Sequence, residues 1–271
     1  MSRPVIALTT DFGQADGYVG IMKGVILGIC PQAALVDVCH EVRPQAVRQA
    51  GYVLKSAVPY FPFGTVHVVV VDPGVGSERR PIVVQTERAV YVAPDNGVLS
   101  LTLTQDAPHF AVQLTDPHYQ MTPVSATFHG RDIFAPAAAH LACGVDPREM
   151  GDEIAPSKLV GLPELQPVRQ PEGSWLGEVL HIDRFGNLVT SFSGTRIRAG
   201  CSVHLGGESI PGLSRTYADV GPGELVAYVG SSGQMEVAVR GGSAATKLGV
   251  NVGTPVQVRD ASGRFRAPRL P

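Results

Sequence analysis

The run Val66-His67-Val68-Val69-Val70-Val71 restricts the fold more than any other feature, because a strand this apolar on both alternating faces has no side to offer to water. Such strands belong inside parallel sheets that are covered on both faces by helices. The run stops at Asp72-Pro73-Gly74-Val75-Gly76-Ser77-Glu78-Arg79-Arg80, a carboxylate followed by a glycine-punctuated loop. In open α/β sheets ligands bind outside the carboxyl ends of the strands, so this junction is the first candidate for chemistry. Val5-Ile6-Ala7-Leu8-Thr9-Thr10 repeats the design, running into Asp11-Phe12-Gly13-Gln14-Ala15-Asp16-Gly17.

The spacing predicts a helix over 18–29, with Val19, Met22, Ile26 and Ile29 on one stripe and Pro31 closing it. Segment 34–39 reads as a strand and 47–57 as a helix. This β-α-β-α-β rhythm implies parallel pairing through right-handed crossovers. Segments 81–85 and 89–92 read as a short antiparallel addition, 93–97 as a turn and 131–143 as a helix. From 156 to 174 the residues Pro156, Pro163, Pro167 and Pro171 interrupt any periodicity, which reads as a linker. Beyond it, short alternating stretches over 175–182, 188–192, 202–205, 225–229, 235–239 and 255–258 predict a small β-barrel or sandwich. The expected organisation is an α/β domain over 1–155 with a Rossmann-like, mostly parallel sheet, the linker over 156–174, and a β-barrel domain over 175–271.

A net charge of -2 in 271 residues carries no basic bias toward nucleic acid or anionic membrane. Cys30, Cys39, Cys143 and Cys201 are widely spaced, which suits reduced thiols in a cytoplasm better than a disulfide frame. No apolar run approaches the roughly 20 residues of a membrane span, and the residues after Met1 are too few for a signal core. The expectation is a soluble cytoplasmic protein.

Asp72 and Arg79 are close enough across their loop for an ion pair. His129, in Thr127-Phe128-His129-Gly130-Arg131-Asp132, precedes a predicted helix and so falls where a sheet-end loop brings it beside Asp72. In this arrangement Asp72 sets the imidazole tautomer, His129 or Asp72 accepts a proton, and Arg79 favours hydroxide over water. The bland alternative is a loop-tying salt bridge with an unrelated histidine. Asp11 and Asp16 flank a loop suited to ribose hydroxyls or an ammonium group. Competing readings make Asp16 a helix cap and Asp11 a strand terminator, or make Asp11, Asp16 and Asp72 ligands of a hard cation. In the second half, His181-Ile182-Asp183-Arg184-Phe185-Gly186-Asn187, the Tyr217 segment and Gly230-Ser231-Ser232-Gly233 offer an aromatic face, an amide and open backbone, as a purine site does. A plain hairpin and a core tyrosine explain them equally.

At these residues the chain resembles the S-adenosylmethionine hydroxide adenosyltransferases, adenosine-forming hydrolases related to the fluorinating and chlorinating enzymes. Matching stretches are Thr10-Asp11-Phe12-Gly13, Val36-Asp37-Val38-Cys39-His40, Val71-Asp72-Pro73-Gly74-Val75-Gly76 and Ala93-Pro94-Asp95-Asn96-Gly97. Phe128-His129-Gly130-Arg131-Asp132, Ile182-Asp183-Arg184-Phe185-Gly186-Asn187, Tyr217-Ala218-Asp219 and Gly230-Ser231-Ser232-Gly233 continue the family order. The resemblance implies a trimer whose active sites lie between the N-terminal domain of one subunit and the C-terminal domain of its neighbour. It implies that Asp11 grips the ribose diol, that Asp16, Asp183 and Ser231 hold the methionine portion, and that Phe185, Asn187 and Tyr217 form the adenine pocket. Asp72, Arg79 and His129 match the triad of the hydroxide-using branch.

The fluorinating relatives carry tyrosine at the position of Asp72 and serine at that of Gly130, and a carboxylate there repels a halide while it hydrogen-bonds water. Arg240-Gly241-Gly242 departs from the asparagine-rich segment expected near the base. The implied activity is hydrolysis of S-adenosyl-L-methionine to adenosine and L-methionine, with no cofactor and no metal. The rival readings are a chloride-dependent adenosyltransferase and a non-catalytic binding protein for adenosine or S-adenosylmethionine. The expected partner is a small molecule.

Overall fold

The computed structural model describes residues 3–162, 166–197 and 200–260. They fall into two compact units, Met1–Leu162 and Pro163–Pro271.

Along the first unit run β1 (Val5–Thr10), α1 (Tyr18–Ile29), β2 (Ala34–Cys39), α2 (Val47–Ala57), β3 (Thr65–Val70), β4 (Pro81–Thr86) and β5 (Ala89–Pro94). Then come α3 (Ser100–Leu103), β6 (Pro108–Leu114), α4 (Ala135–Ala142) and β7 (Gly151–Glu153). The sheet order is β2-β1-β3-β5-β4-β6-β7. β2, β1, β3 and β5 are parallel, and β4, β6 and β7 are each antiparallel to their neighbours.

All of β3 is buried. Val66, Val68 and Val70 pack with Met22, Ile26 and Phe134 on one face, while Val69 and Val71 pack with Leu54 and Tyr91 on the other. Burial on both faces, worth roughly 2 kcal/mol for each such valine, is what allows the run to dispense with alternation.

The helix expected over 131–143 begins instead with a π-helical turn, Gly130–Phe134, in which Ala135 N donates to Gly130 O. Pro136 has no N–H for the carbonyl of Asp132 four residues back. That carbonyl accepts from Met121 N at 2.8 Å instead, tying the preceding loop to the turn. β6 and β7 extend the antiparallel edge beyond what the sequence reading anticipated.

The second unit is an eight-stranded antiparallel sheet, curled into a nearly closed barrel. Its elements are β8 (Val168–Arg169), β9 (Trp175–Ile182), β10 (Leu188–Ser193), β11 (Cys201–Leu205), β12 (Glu208–Pro211), β13 (Leu225–Val229), β14 (Gln234–Val239), α5 (Ala244–Leu248) and β15 (Pro255–Asp260). Their order is β12-β11-β15-β9-β10-β14-β13, with β8 on β9. Ser214, just past β12, bridges to Tyr228 of β13 at the open seam. Phe192, Met235, Val237 and Val258 lie fully buried inside.

Within the proline-rich segment, Pro156–Lys158 forms a short 3-10 turn and β8 pairs with β9, so part of that stretch is built into structure. Its residues 163–165 lie outside those described. Among the described residues no helix is long and apolar enough to cross a membrane.

Candidate active site

Asp72 emerges two residues past β3, and Arg79 sits just before β4. Arg79 Nε donates to both carboxylate oxygens of Asp72, at 3.0 and 2.9 Å, and Nη2 donates to Oδ2 at 2.5 Å. Their side chains are only 9% and 5% exposed, so this is a buried, forked ion pair rather than a surface bridge. The same Nη2 lies 2.6 Å from His129 Nδ1. The guanidinium also faces the ring of Phe134, 5.4 Å from its centroid.

A guanidinium has no acceptor, so His129 Nδ1 must present a lone pair and the neutral ring must carry its hydrogen on Nε2. The sequence reading, in which Asp72 sets the tautomer, is therefore corrected: Arg79 stands between the two and sets it. Burial and then the Arg79 charge push the imidazole pKa below its usual 6.5, against the opposing pull of Asp72, Asp132 and the Ser125 carbonyl.

The loop between Asp72 and Arg79 is clamped at both ends by the turn after β5. Asn96 Nδ2 donates to Val71 O at 2.9 Å, and Asp95 pairs with Arg80 while its own N–H donates to Arg80 O at 2.8 Å. In the middle, Gly76 has φ +76°, and a Cβ there would come within 2.6 Å of the Ala126 carbonyl. Side-chain-free backbone is thus what lets this loop lie against the 125–127 segment that leads to His129. Asp132, 1% exposed, fixes that segment by accepting from Ser125 N at 2.8 Å and from Arg131.

Asp11 follows β1, and its Oδ2 accepts from Gln45 N at 2.7 Å, where Gln45 has φ +64°. Its loop packs on the His129 loop through three rings, with Phe12 to Phe128 at 6.0 Å, Tyr18 to Phe128 at 5.1 Å and Phe12 to Tyr18 at 5.6 Å. Asp16 is exposed, and the N-terminus of α1 has no side-chain cap, so the capping alternative for Asp16 does not hold. Among the described residues no three His, Cys, Asp or Glu side chains are grouped to hold a metal ion.

In the second unit, Asp183 Oδ1 accepts from Phe185 N at 2.9 Å and Asn187 N at 2.8 Å, shaping the turn between β9 and β10. Asn187 Nδ2 donates to Asp183 Oδ2 at 2.8 Å and to Tyr217 OH at 3.3 Å. Tyr217 OH is 2.5 Å from Tyr228 OH, which donates to Glu236 Oε2 at 2.5 Å. Burial pushes the Glu236 carboxyl up, and Tyr228 partly opposes this. Because Asp183 only accepts, the amide nitrogen of Asn187 faces it and the amide oxygen points away from that carboxylate. Phe185, Asn187, Tyr217, Val239, Gly241 and Gly242 line a concavity of about 520 Å³. Phe185 is 75% exposed, an apolar ring standing open at its edge. Ser231 is exposed in the turn between β13 and β14. Arg240, where the sequence departs from expectation, donates to Val220 O at 2.6 Å and so anchors the Tyr217 turn.

Two family models match the chain: the N-terminal domain of the SAM hydroxide adenosyltransferases over residues 6–151 and their C-terminal domain over 177–257. The chain belongs to the SAM hydroxide adenosyltransferase family. The chain is 44% identical to a Thermus thermophilus relative named (R)-S-adenosyl-L-methionine hydrolase, across 94% of this chain and 99% of the relative. A fluorinase of Nocardia brasiliensis is 28% identical, across 95% and 97%. A solved structure of an uncharacterised conserved protein from Thermotoga maritima superposes with a TM-score of 0.86 at 35% identity, covering 93% of this chain and 99% of that one.

In this family member the structure joins Asp72, Arg79 and His129 in one hydrogen-bonded group, and Asp183, Asn187 and Tyr217 in another. Tyr228, Glu236 and Asp132 escaped the sequence reading. Each acts through a neighbouring side chain or backbone group, and spacing carries no trace of that; the Asp132 of the Phe128-to-Asp132 motif was the one available signal.

Proposed function

We propose that this protein hydrolyses S-adenosyl-L-methionine to adenosine and L-methionine, water attacking the ribose 5′ carbon in line with the departing sulfur. The buried Asp72–Arg79–His129 group carries this reading. A sulfonium leaves as a neutral thioether, so departure requires no acid, and catalysis reduces to holding water opposite sulfur, partly stripped of solvent. His129 Nδ1 is occupied by Arg79 and its Nε2 carries hydrogen, whereas Asp72 retains carboxylate lone pairs beyond those Arg79 fills. Asp72 is therefore the group that receives the water proton as the carbon–oxygen bond forms. Arg79 fixes that carboxylate, and His129 fixes Arg79.

In this reading Asp11 grips the ribose diol, Asp16, Asp183 and Ser231 hold the methionine portion, and Phe185, Asn187 and Tyr217 receive adenine. The chain works as a homotrimer whose sites draw on neighbouring subunits, without metal or cofactor, in the cytoplasm; its four cysteines, none of them in a disulfide, suit that compartment.

Turnover in ¹⁸O-labelled water tests the chemistry, and the label is expected in the adenosine 5′ hydroxyl. A 5′-chloro product made only with chloride points to the halide-using alternative, which the Asp72 charge opposes. Tight adenosine binding without methionine release points to a binding protein. Alanine at Asp72, Arg79 or His129 is expected to slow turnover by roughly 10²-fold or more while adenosine binding persists. Unchanged turnover in a chelator supports the metal-free reading.

A further inference from the structure

The motif Val36-Asp37-Val38-Cys39-His40 has no part in the chemistry above, yet its polar members are assembled as closely as the Asp72 group. β1 and β2 run parallel with Thr9 opposite Cys39, so Thr10 and His40 stand side by side at the strand ends. Thr10 is fully buried, and the His40 side chain is 1% exposed. Thr10 Oγ1 lies 2.8 Å from His40 Nδ1, and His40 Nε2 lies 2.9 Å from Asp37 Oδ1. Lys23 Nζ, from α1, donates to Asp37 Oδ2 at 2.6 Å.

The direction of each bond follows from Asp37. Burial pushes its carboxyl up, but hydrogen bonds and charges from His40 and Lys23 outweigh this and hold it below the usual carboxylate value. The carboxylate therefore accepts from Nε2–H; in the neutral ring Nδ1 accepts from the Thr10 hydroxyl, and a lone pair of Thr10 Oγ1 is left for Phe12 N at 3.3 Å. The residue spanned by that contact is Asp11. His40 holds the same loop a second time, its carbonyl accepting from Gly13 N at 2.8 Å.

We infer that Thr10, His40 and Asp37 are positioning residues for Asp11, holding its carboxylate where it meets a ribose diol and so setting preference for a ribonucleoside over a 2′-deoxyribonucleoside. This rests on the reading of Asp11 as the ribose acid. A mere staple between β1 and β2 would use the same bonds, but its loss would register in stability alone.

Thr10→Val removes the hydroxyl at constant shape, and Thr10→Ser keeps it. In the full-length protein, turnover, thermal unfolding and calorimetric binding of adenosine and 2′-deoxyadenosine are compared. Thr10→Val is expected to raise KM roughly tenfold, the size of one charge-assisted hydrogen bond, and to shrink the adenosine preference by a similar factor. Its kcat stays within about twofold, and Thr10→Ser behaves like the parent. Asp37→Asn, altered at a half-exposed side chain, is a second probe expected to move KM and preference in the same direction. Combined with Asp11→Asn, Thr10→Val should add nothing. Parental KM and preference in both Thr10→Val and Asp37→Asn, beside a lower Tm, would overturn the inference. An Asp11→Asn variant that loses the preference beside those unaffected variants overturns the inference alone; one that keeps it removes Asp11 from the ribose and takes the inference with it.

Discussion

Arg79 Nη2 makes two contacts whose demands differ, an anion at Asp72 and a lone pair at His129. Lysine at this position keeps the charge but loses the planar fork. Arg79→Lys is therefore expected to lower kcat by roughly 10²-fold, as loss of a preorganised donor does, with adenosine affinity changed far less; single-turnover kinetics beside calorimetry separates the two. The lone pair gives a second expectation. Protonating His129 fills Nδ1 and sets a cation against the guanidinium, so the working form is the neutral ring. Its pKa is pushed below 6.5 by burial and by Arg79. Activity therefore falls as pH drops through a value on the acid side of 6.5. His129→Asn offers Arg79 an amide oxygen that does not titrate, and its kcat/KM profile should lack that limb. A parental limb centred above 6.5 would contradict the assignment.

Between β3 and β4 the loop reaches from Asp72 to Arg79 only because Gly76 takes a left-handed φ against the Ala126 carbonyl. Gly76→Ala meets both strain and backbone contact, and is expected to destabilise the protein by about 1–3 kcal/mol and to depress kcat further than stability loss explains. Denaturant unfolding and turnover on the same preparation check this. The junction was legible because a run that cannot alternate must be a buried strand, and a buried strand must end at a loop. The 18–29 helix and most barrel strands were legible from period alone. β7, β12 and α5 were not: they are short, and tertiary neighbours rather than internal period define them; β6, seven residues long, was missed as well. The π-helical turn also lay out of reach, since Pro136 fits the start of an ordinary helix as well as it fits α4 after a wide turn. The strand-end loop singled out Asp72, Arg79 and His129 and family resemblance favoured them over the bland reading, but only geometry shows that Arg79 is the middle member.

Taken whole, the first unit has covered both faces of its sheet so thoroughly that a histidine is enclosed in it. His67 of β3 is 1% exposed, stacks on Tyr91 at 5.6 Å and meets the edge of Phe61 at 5.1 Å. Neither ring nitrogen has a hydrogen-bond partner among the described residues. Burial, and then the charge of Arg88, push its pKa down to about 4. The unfolded chain binds this proton near pH 6.5 while the native protein refuses it until about pH 4, so in that window the unfolded state holds more protons and stability rises with pH. The contribution is complete above 6.5 and is lost as pH falls through the window, by roughly 3 kcal/mol for a shift of this size. Asp37 and Asp132, both held below the usual carboxylate range, lose stability in the same acid direction, so the parental slope alone does not isolate His67. His67→Leu does, since it fills similar space without a titrating group. Urea unfolding of both proteins from pH 7 to pH 4 should show the leucine variant losing less stability on acidification. Equal slopes would mean that the native interior admits the proton as readily as water does.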